Sequence, residues 1–159
     1  MTTPIESDRT YRPLIVAAFL IGVGQGGFFD GIVFHQLLQW HPLFSEVRST
    51  VTIADLEIDT LGDGLFHLFD RIVTAIGIGY LWRVCRDRLS PLSTPVFLGS
   101  LAIGAGTFNV VEGILDHHLL GIHHVKPGPY QLFWDLGFLA IGFVAIVAGW
   151  SIVRQFSKR

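Results

Sequence analysis

Acidic and histidine side chains recur inside segments that are otherwise apolar. Ionisable residues within membrane helices are expensive to bury, and by default they indicate function. Carboxylates combined with neutral imidazoles form a ligand set that suits iron, zinc, manganese or copper(II). The sequence therefore predicts a site for two transition-metal ions, and its predicted ligands are Asp30, His35, His41, His67, Asp70, Glu112, His117, His123 and Asp135.

Two further carboxylates, Asp63 and Asp116, lie close in sequence to the predicted ligands. We expect them to stand behind the ligands and to move protons as the catalytic groups of a reaction at the metals. A second interpretation needs no metal. The acids and imidazoles would then form a satisfied hydrogen-bond network that holds the helices together.

The spacing of each acid from the following histidine does not fit one face of a regular helix. Asp30 and His35 are five positions apart, which separates them by ~140° at ~100° per residue. The same offset separates Glu112 from His117. Either these two histidines face a neighbouring groove, or both helices loosen at the glycines that follow the acids, Gly31 and Gly113.

The composition indicates an integral membrane protein. Of the 159 residues, half are hydrophobic and only 15% are charged, whereas a soluble domain carries roughly a quarter of charged residues. This balance argues against a soluble enzyme, and it excludes a disordered chain and a nucleic-acid-binding protein. Four apolar segments approach the ~20 residues that a spanning helix needs, namely Leu14–Leu38, Leu65–Trp82, Val96–Leu115 and Leu132–Val153.

The distribution of basic residues predicts the orientation of these helices in a bacterial inner membrane. Arginine and lysine concentrate at both chain ends and between the second and third segments. By the positive-inside bias, both termini are cytoplasmic and the predicted ligands lie in the outer half of the membrane. We therefore expect a cytoplasmic segment over 1–12, a transmembrane domain over 13–153 and a cytoplasmic tail over 154–159.

An internal repeat relates the two halves of the chain. Gly22–His41 aligns with Gly104–His123, and the shared string is Asp/Glu-Gly-Ile-x-x-His-x-Leu-Leu-x-x-His. The second and fourth segments match more weakly, and that match aligns Asp70 with Asp135. The predicted fold is therefore an all-α four-helix membrane bundle, built from a duplicated helical hairpin with repeats of about 13–83 and 95–153.

Three motifs resemble those of a known family. They are Gly-x-Gly-x-x-Gly-Phe-x-Asp-Gly-x-x-x-His-Gln-x-Leu-Gln-Trp-His from Gly22, Asp-Gly-x-x-His-x-x-Asp from Asp63, and Glu-Gly-x-x-Asp-His-x-x-Leu-x-x-His-His from Glu112. From Pro13 to Val153 the chain resembles a bacterial four-helix integral membrane family catalogued only as a domain of unknown function. The resemblance implies a multi-pass protein of the inner membrane and supplies no activity.

Three functions remain open from the sequence. The first is a metalloprotein, with a metal-dependent oxidoreductase or hydrolase activity on an apolar substrate that arrives from the lipid bilayer. The second is an outward-facing metal chaperone or assembly factor for a periplasmic or respiratory metalloprotein partner. The third is a haem protein in which His35 and His117 are the two axial ligands.

Overall fold

The computed structural model describes residues 10–47 and 52–157, and within these residues the chain is all-α. Four long helices follow one another, and we number them α1 (Arg12–Asp30), α2 (Ile53–Arg86), α3 (Thr94–Glu112) and α4 (Gln131–Phe156). Together with the short extensions described below, all four are long and apolar enough to cross a membrane. Residues 1–9 of the predicted cytoplasmic segment, and the basic residues Arg48, Lys158 and Arg159, lie outside the described residues.

Helix α2 is longer than the sequence predicts. It begins at Ile53 rather than at Leu65. The side chain of Thr52 caps its first turn by accepting a hydrogen bond from the backbone N–H of Asp55 at 3.2 Å, which satisfies one of the free donors at a helix start. The acidic residues Asp55, Glu57 and Asp59, which precede the predicted segment, are therefore helical, and Asp63 lies well inside α2.

Helices α1 and α3 cross at the centre of the bundle, while α2 packs on α1 and α4 packs on α3. The crossing of α1 and α3 falls at Gly22 and Gly104. A Cβ atom on Gly22 would collide with the backbone of Leu101, and one on Gly104 would collide with the backbone of Phe19. Small residues allow such close backbone approach between membrane helices, so these two glycines set the distance between the central helices.

The outer helices approach the central ones through a second pair of glycines. A Cβ on Gly77 would lie 2.8 Å from the amide nitrogen of Ile21 in α1. A Cβ on Gly149 would lie 3.1 Å from the amide nitrogen of Ile103 in α3. Ile21 and Ile103 are equivalent in the repeat, so α2 and α4 pack on their partners in the same manner, with Gly77 equivalent to Gly149.

The two central helices both widen where the acid–glycine pair occurs. After Asp30 the chain continues as a π-helix over Gly31–Leu37, and after Glu112 it does so over Gly113–Leu119. A π-helix has i→i+5 hydrogen bonds, so residues five apart come onto one face. Of the two alternatives from the sequence, the loosened helix is therefore the one that the structure adopts, and each histidine returns to the side of its acid.

Candidate metal centre

Four histidine rings form a buried cluster at the end of the bundle opposite the described chain ends. His35 and His117 come from the two π-helices, and His41 and His123 come from the loops that follow them. The ring centroids of His41 and His123 are 4.7 Å apart in a stacked arrangement, and those of His35 and His41 are 4.5 Å apart. His117 completes the cluster, with its ring centroid 4.9 Å from that of His123.

The two loop histidines are oriented by backbone carbonyls of the opposite loop. The Nδ1 atom of His41 lies 2.9 Å from the carbonyl oxygen of Val125, and Nδ1 of His123 lies 3.1 Å from that of Leu43. A carbonyl oxygen only accepts hydrogen bonds, so Nδ1 of each ring donates. Each Nε2 atom then keeps its lone pair, as a metal ligand requires.

A carboxylate of an outer helix lies behind each π-helix histidine, but only one of the two is within hydrogen-bond distance. Nδ1 of His35 lies 2.9 Å from Oδ1 of Asp63 in α2. Nδ1 of His117 lies 3.6 Å from Oδ1 of Asp135 in α4, which is too far for a hydrogen bond. A carboxylate behind a ligating imidazole fixes its orientation and raises its basicity, so at His35 this arrangement favours Nε2 as the free atom.

The carboxylates behind the histidines show which residues are equivalent in the two outer helices. Asp63 accepts a hydrogen bond from the backbone N–H of Leu43 at 3.0 Å, and Asp135 accepts one from that of Val125 at 3.0 Å. Leu43 and Val125 occupy the same position of the repeat, two residues after a loop histidine. The counterpart of Asp135 is therefore Asp63, and the sequence-based alignment of Asp135 with Asp70 is wrong in this respect.

Two carboxylates of the central helices face the cluster. Oδ2 of Asp30 lies 3.4 Å from Nε2 of His35. Oε1 of Glu112 lies 2.9 Å from Nε2 of His123 and 3.1 Å from Nε2 of His117. Both acids are buried, so their charge calls for a partner at this depth.

Several atoms of this cluster are buried without a hydrogen-bond partner. Four of them are acceptors, Oδ2 of Asp30, Oε2 of Glu112, and Nε2 of His35 and of His41, and the fifth atom is Nδ1 of His117. Buried polar atoms ordinarily have a partner, so four unpartnered acceptors in one place point to a missing cation. Among the described residues, two groups of three side chains each have their ligand atoms within 4.8 Å of one another. One group is His35, His41 and His123, and the other is Glu112, His117 and His123.

The loop histidine His41 lies outside the membrane-spanning segments, and burial holds its pKa far below the usual value. The neighbouring imidazoles of His123 and His35 lower this pKa further. A depressed pKa keeps the ring neutral at physiological pH, and the neutral ring is the form that binds metal.

The remaining predicted residues lie around the cluster rather than in the two groups of ligand atoms. His67 is half-buried, and its ring packs against the backbone of Gly31. Asp70 is fully buried against Gly27, and both of its carboxylate oxygens are unpartnered. Asp116 is half-buried and lines a groove beside Glu112.

The groups that the sequence analysis missed are backbone atoms and one histidine partner. The carbonyls and N–H groups of Leu43 and Val125 hold both histidines and carboxylates in place. Nδ1 of His124 lies 2.7 Å from Oδ2 of Asp135, so this acid contacts two imidazoles. The sequence did contain a signal for the two backbone positions. The alignment of the repeat continues two residues past His41 and His123, and it pairs Leu43 with Val125.

Comparisons with known proteins agree with this architecture. No curated protein and no solved structure matches the chain. The profile of one family does match, over residues 17–156, and that family is described as a predicted membrane protein. The match covers all four helices and the histidine cluster, so the chain belongs to the DUF2243 family of predicted membrane proteins, whose function is unknown.

Proposed function

We propose that this protein is a membrane metalloprotein with two transition-metal ions bound in the histidine cluster. The unpartnered, buried Nε2 and carboxylate oxygen atoms carry this proposal, because a cation would satisfy all of them together. Each half of the chain contributes one acid, one π-helix histidine and one loop histidine. The six proposed ligands are Asp30, His35 and His41 from the first half, and Glu112, His117 and His123 from the second. Five of them form the two groups of ligand atoms, and Asp30 is added because its unpartnered Oδ2 lies 3.4 Å from Nε2 of His35.

The equivalent contacts of the two halves support an origin by duplication of a helical hairpin, with repeats of about 13–83 and 95–153. We further propose that both chain termini are cytoplasmic and that the metal centre faces the periplasmic side. The described basic residues support this orientation, because five of the seven, namely Arg12, Arg83, Arg86, Arg88 and Arg154, lie at the end opposite the cluster. Arg71 lies within α2, and Lys126 lies at the cluster end.

Six protein ligands shared between two ions leave each ion short of a full coordination shell. An open position of this kind is what catalytic metal sites keep for water or substrate. A pair of ions held by carboxylates and imidazoles can activate water or dioxygen. We therefore propose a metal-dependent oxidoreductase or hydrolase acting on an apolar substrate, with Asp63 and Asp116 as groups that move protons.

The alternative functions fit the geometry less well. A chaperone exchanges its metal, whereas all six proposed ligands are buried, which favours a resident ion. An axial pair of haem ligands needs a porphyrin between His35 and His117. The ring of His123 packs against both, with centroids 5.6 Å and 4.9 Å from theirs, so a porphyrin would have to separate rings that are in contact.

Metal analysis of the purified protein tests the proposal. The full chain is extracted in a mild detergent and its iron, zinc, manganese and copper are measured per chain. We expect about two ions per chain in the wild type, since a site with six buried ligands retains its metal through purification. Glu112→Gln removes the carboxylate that contacts two imidazoles, and it should lose one of the two ions, because the group of His35, His41 and His123 keeps its ligands.

His118→Gln is the matched control. His118 is exposed, and its Nδ1 contacts the carbonyl oxygen of Gly113 at 2.8 Å rather than the cluster. This variant should keep the wild-type metal content. The proposal fails if the wild type carries no stoichiometric metal and takes up none of the four metals after reconstitution.

A further inference from the structure

A groove between α1, α2 and α3 leads from the lipid-facing surface to the proposed metal centre. Its volume is about 340 Å³. The outer part is apolar, and its rim includes the exposed side chains of Phe69 and Val111. Two carboxylates, Glu112 and Asp116, line the same groove. We call it the first groove.

A second groove of about 330 Å³ lies between α1, α3 and α4, and five of its ten lining residues correspond in the repeat to lining residues of the first. Phe29 lines it where Val111 lines the first groove, and these two residues align in the repeat. The second groove does not extend to Asp30, the equivalent of Glu112.

Phe34 occupies the position in the repeat that corresponds to Asp116 and accounts for this difference. Its ring stacks on Trp40 at 5.3 Å and meets Phe138 edge-on at 6.4 Å. This aromatic packing fills the corner that stays open beside Asp116. The two halves therefore share the ligands of the metal centre, but only the first groove gives lateral access to one of them.

The chemistry of the first groove selects a particular kind of occupant. Its volume falls at the lower end of small-molecule pockets, roughly 300–1,000 Å³. The apolar wall faces the bilayer and favours an apolar body. The polar side chains of the groove are two carboxylates, which accept hydrogen bonds, and Thr107, whose hydroxyl already donates to the carbonyl oxygen of Ile103. The head of the occupant must therefore donate a hydrogen bond. A hydroxyl does so without carrying an ammonium charge through the apolar part of the groove.

We propose that the first groove binds a small lipophilic alcohol or phenol from the bilayer, with its hydroxyl group at Asp116 and Glu112. This inference rests on the proposed function, because Glu112 is a proposed metal ligand and the bound hydroxyl would lie next to the open coordination position. It adds the substrate class and the route by which the substrate arrives.

Photolabelling tests where such a molecule binds. The full chain in lipid nanodiscs is irradiated with an analogue of n-decanol that carries a diazirine on its alkyl chain, and labelled residues are located by peptide mass spectrometry. We expect label on the first-groove segments of α2 and α3. Competition by n-decanol should reduce it at least about tenfold more than competition by n-decane, a difference of about 1.4 kcal/mol in binding free energy.

Two matched substitutions separate the grooves. Val111→Trp fills the first groove and should reduce labelling about tenfold or more, the result of losing about 1.4 kcal/mol of binding free energy. Phe29→Trp makes the equivalent change in the second groove and should leave labelling unchanged. Asp116→Leu keeps the wall intact and should remove the advantage of n-decanol over n-decane.

Metal content, measured on the same preparations, keeps this inference apart from the proposed function. Label spread over the whole lipid-facing surface, or equal competition by n-decane, would mean that only bulk lipid fills the groove and would overturn the inference. If the wild type still carries metal in that case, the metal centre stands. Specific labelling of a protein that binds no metal would instead retain the binding site and remove its connection to a metal.

Discussion

The two helical hairpins surround the proposed metal centre with the same kinds of groups, but they differ one to two turns away from it. In the first hairpin, Asp70 on α2 fills the space beside Gly27 on α1. In the second, Asn109 on α3 fills the space beside Gly142 on α4. The helix packing thus requires one polar side chain and one glycine at each contact, and either helix can supply the side chain.

A similar exchange occurs beside the π-helices. The ring of His67 packs against Gly31 in the first hairpin, and Leu139 packs against Gly113 in the second. The side chains that contact the glycines therefore vary, whereas the histidines, the acids and the loop backbone contacts are alike. The comparison indicates that symmetry is kept where an ion would be held and lost where a substrate or a proton would move.

We expect the largest difference in metal content between substitutions of the two loop histidines. His123 belongs to both groups of ligand atoms, and its equivalent His41 belongs to one. His123→Gln should therefore abolish stoichiometric metal binding, whereas His41→Gln should leave one ion bound, because one group of three ligands survives. Metal per chain, measured after identical purification, distinguishes the two. Equal losses in the two variants would show that the halves contribute equally and that His123 is not shared.

We expect the next-largest effect, a difference in metal affinity, between substitutions of the two carboxylates behind the π-helix histidines. Asp63→Ala removes the acceptor of the hydrogen bond from His35. Loss of a group that orients a metal ligand in this way weakens metal binding by about 10–100-fold. The contact of Asp135 with His117 is longer, and Asp135 also contacts His124. Asp135→Ala should therefore weaken metal binding less, and it should loosen the loop more. Competition with a calibrated chelator measures the first effect, and protease sensitivity at the loop measures the second. The reverse order would contradict the unequal contacts.

Much of this arrangement could be predicted from the sequence. The helices follow from the apolar runs, and the six proposed ligands follow from acids and histidines that recur in the repeat. The sequence could not show whether the helices widen into π-helices or whether the two histidines face a neighbouring groove. No residue type in Asp30-Gly31 or Glu112-Gly113 compels an i→i+5 turn. The widening is compatible with contacts such as that of His67 on Gly31, which are made by residues distant in sequence.

The equivalence of α2 and α4 illustrates a second limit. Asp70 and Asp135 both precede an Ala-Ile-Gly string, so local similarity pairs them. The packing instead pairs Gly77 with Gly149, each against the backbone of a central helix, and this places Asp63 opposite Asp135. In one half the polar residue that packs against a glycine is on the outer helix, and in the other half it is on the central helix. Such a repeat cannot be aligned by residue identity. Its backbone contacts must be known.

The exchange between Gly27 and Asp70 should have a moderate effect on stability. Gly27→Asn forces a second polar side chain against Asp70, and overpacking of this kind costs about 1–3 kcal/mol. Adding Asp70→Gly reproduces the arrangement of the second hairpin and should recover most of the loss. Thermal unfolding in detergent of the two single variants and the double variant gives the coupling free energy. A double variant whose loss is the sum of the single losses would mean that the two positions do not share one space.

The smallest effect is expected where the hairpins differ without any packing consequence. A Cβ on Gly64 of α2, or on Gly137 of α4, would have no neighbour within 4 Å. Gly64→Ala and Gly137→Ala should therefore not destabilise the fold, and they should raise the free energy of unfolding by up to about 1 kcal/mol, because alanine is favoured over glycine inside a helix. Gly149→Ala is the contrasting variant, because its Cβ would collide with the carbonyl oxygen of Gly99. If thermal unfolding shows equal destabilisation for all three variants, then α2 and α4 carry a further contact on the face that Gly64 and Gly137 present, such as a second copy of the chain.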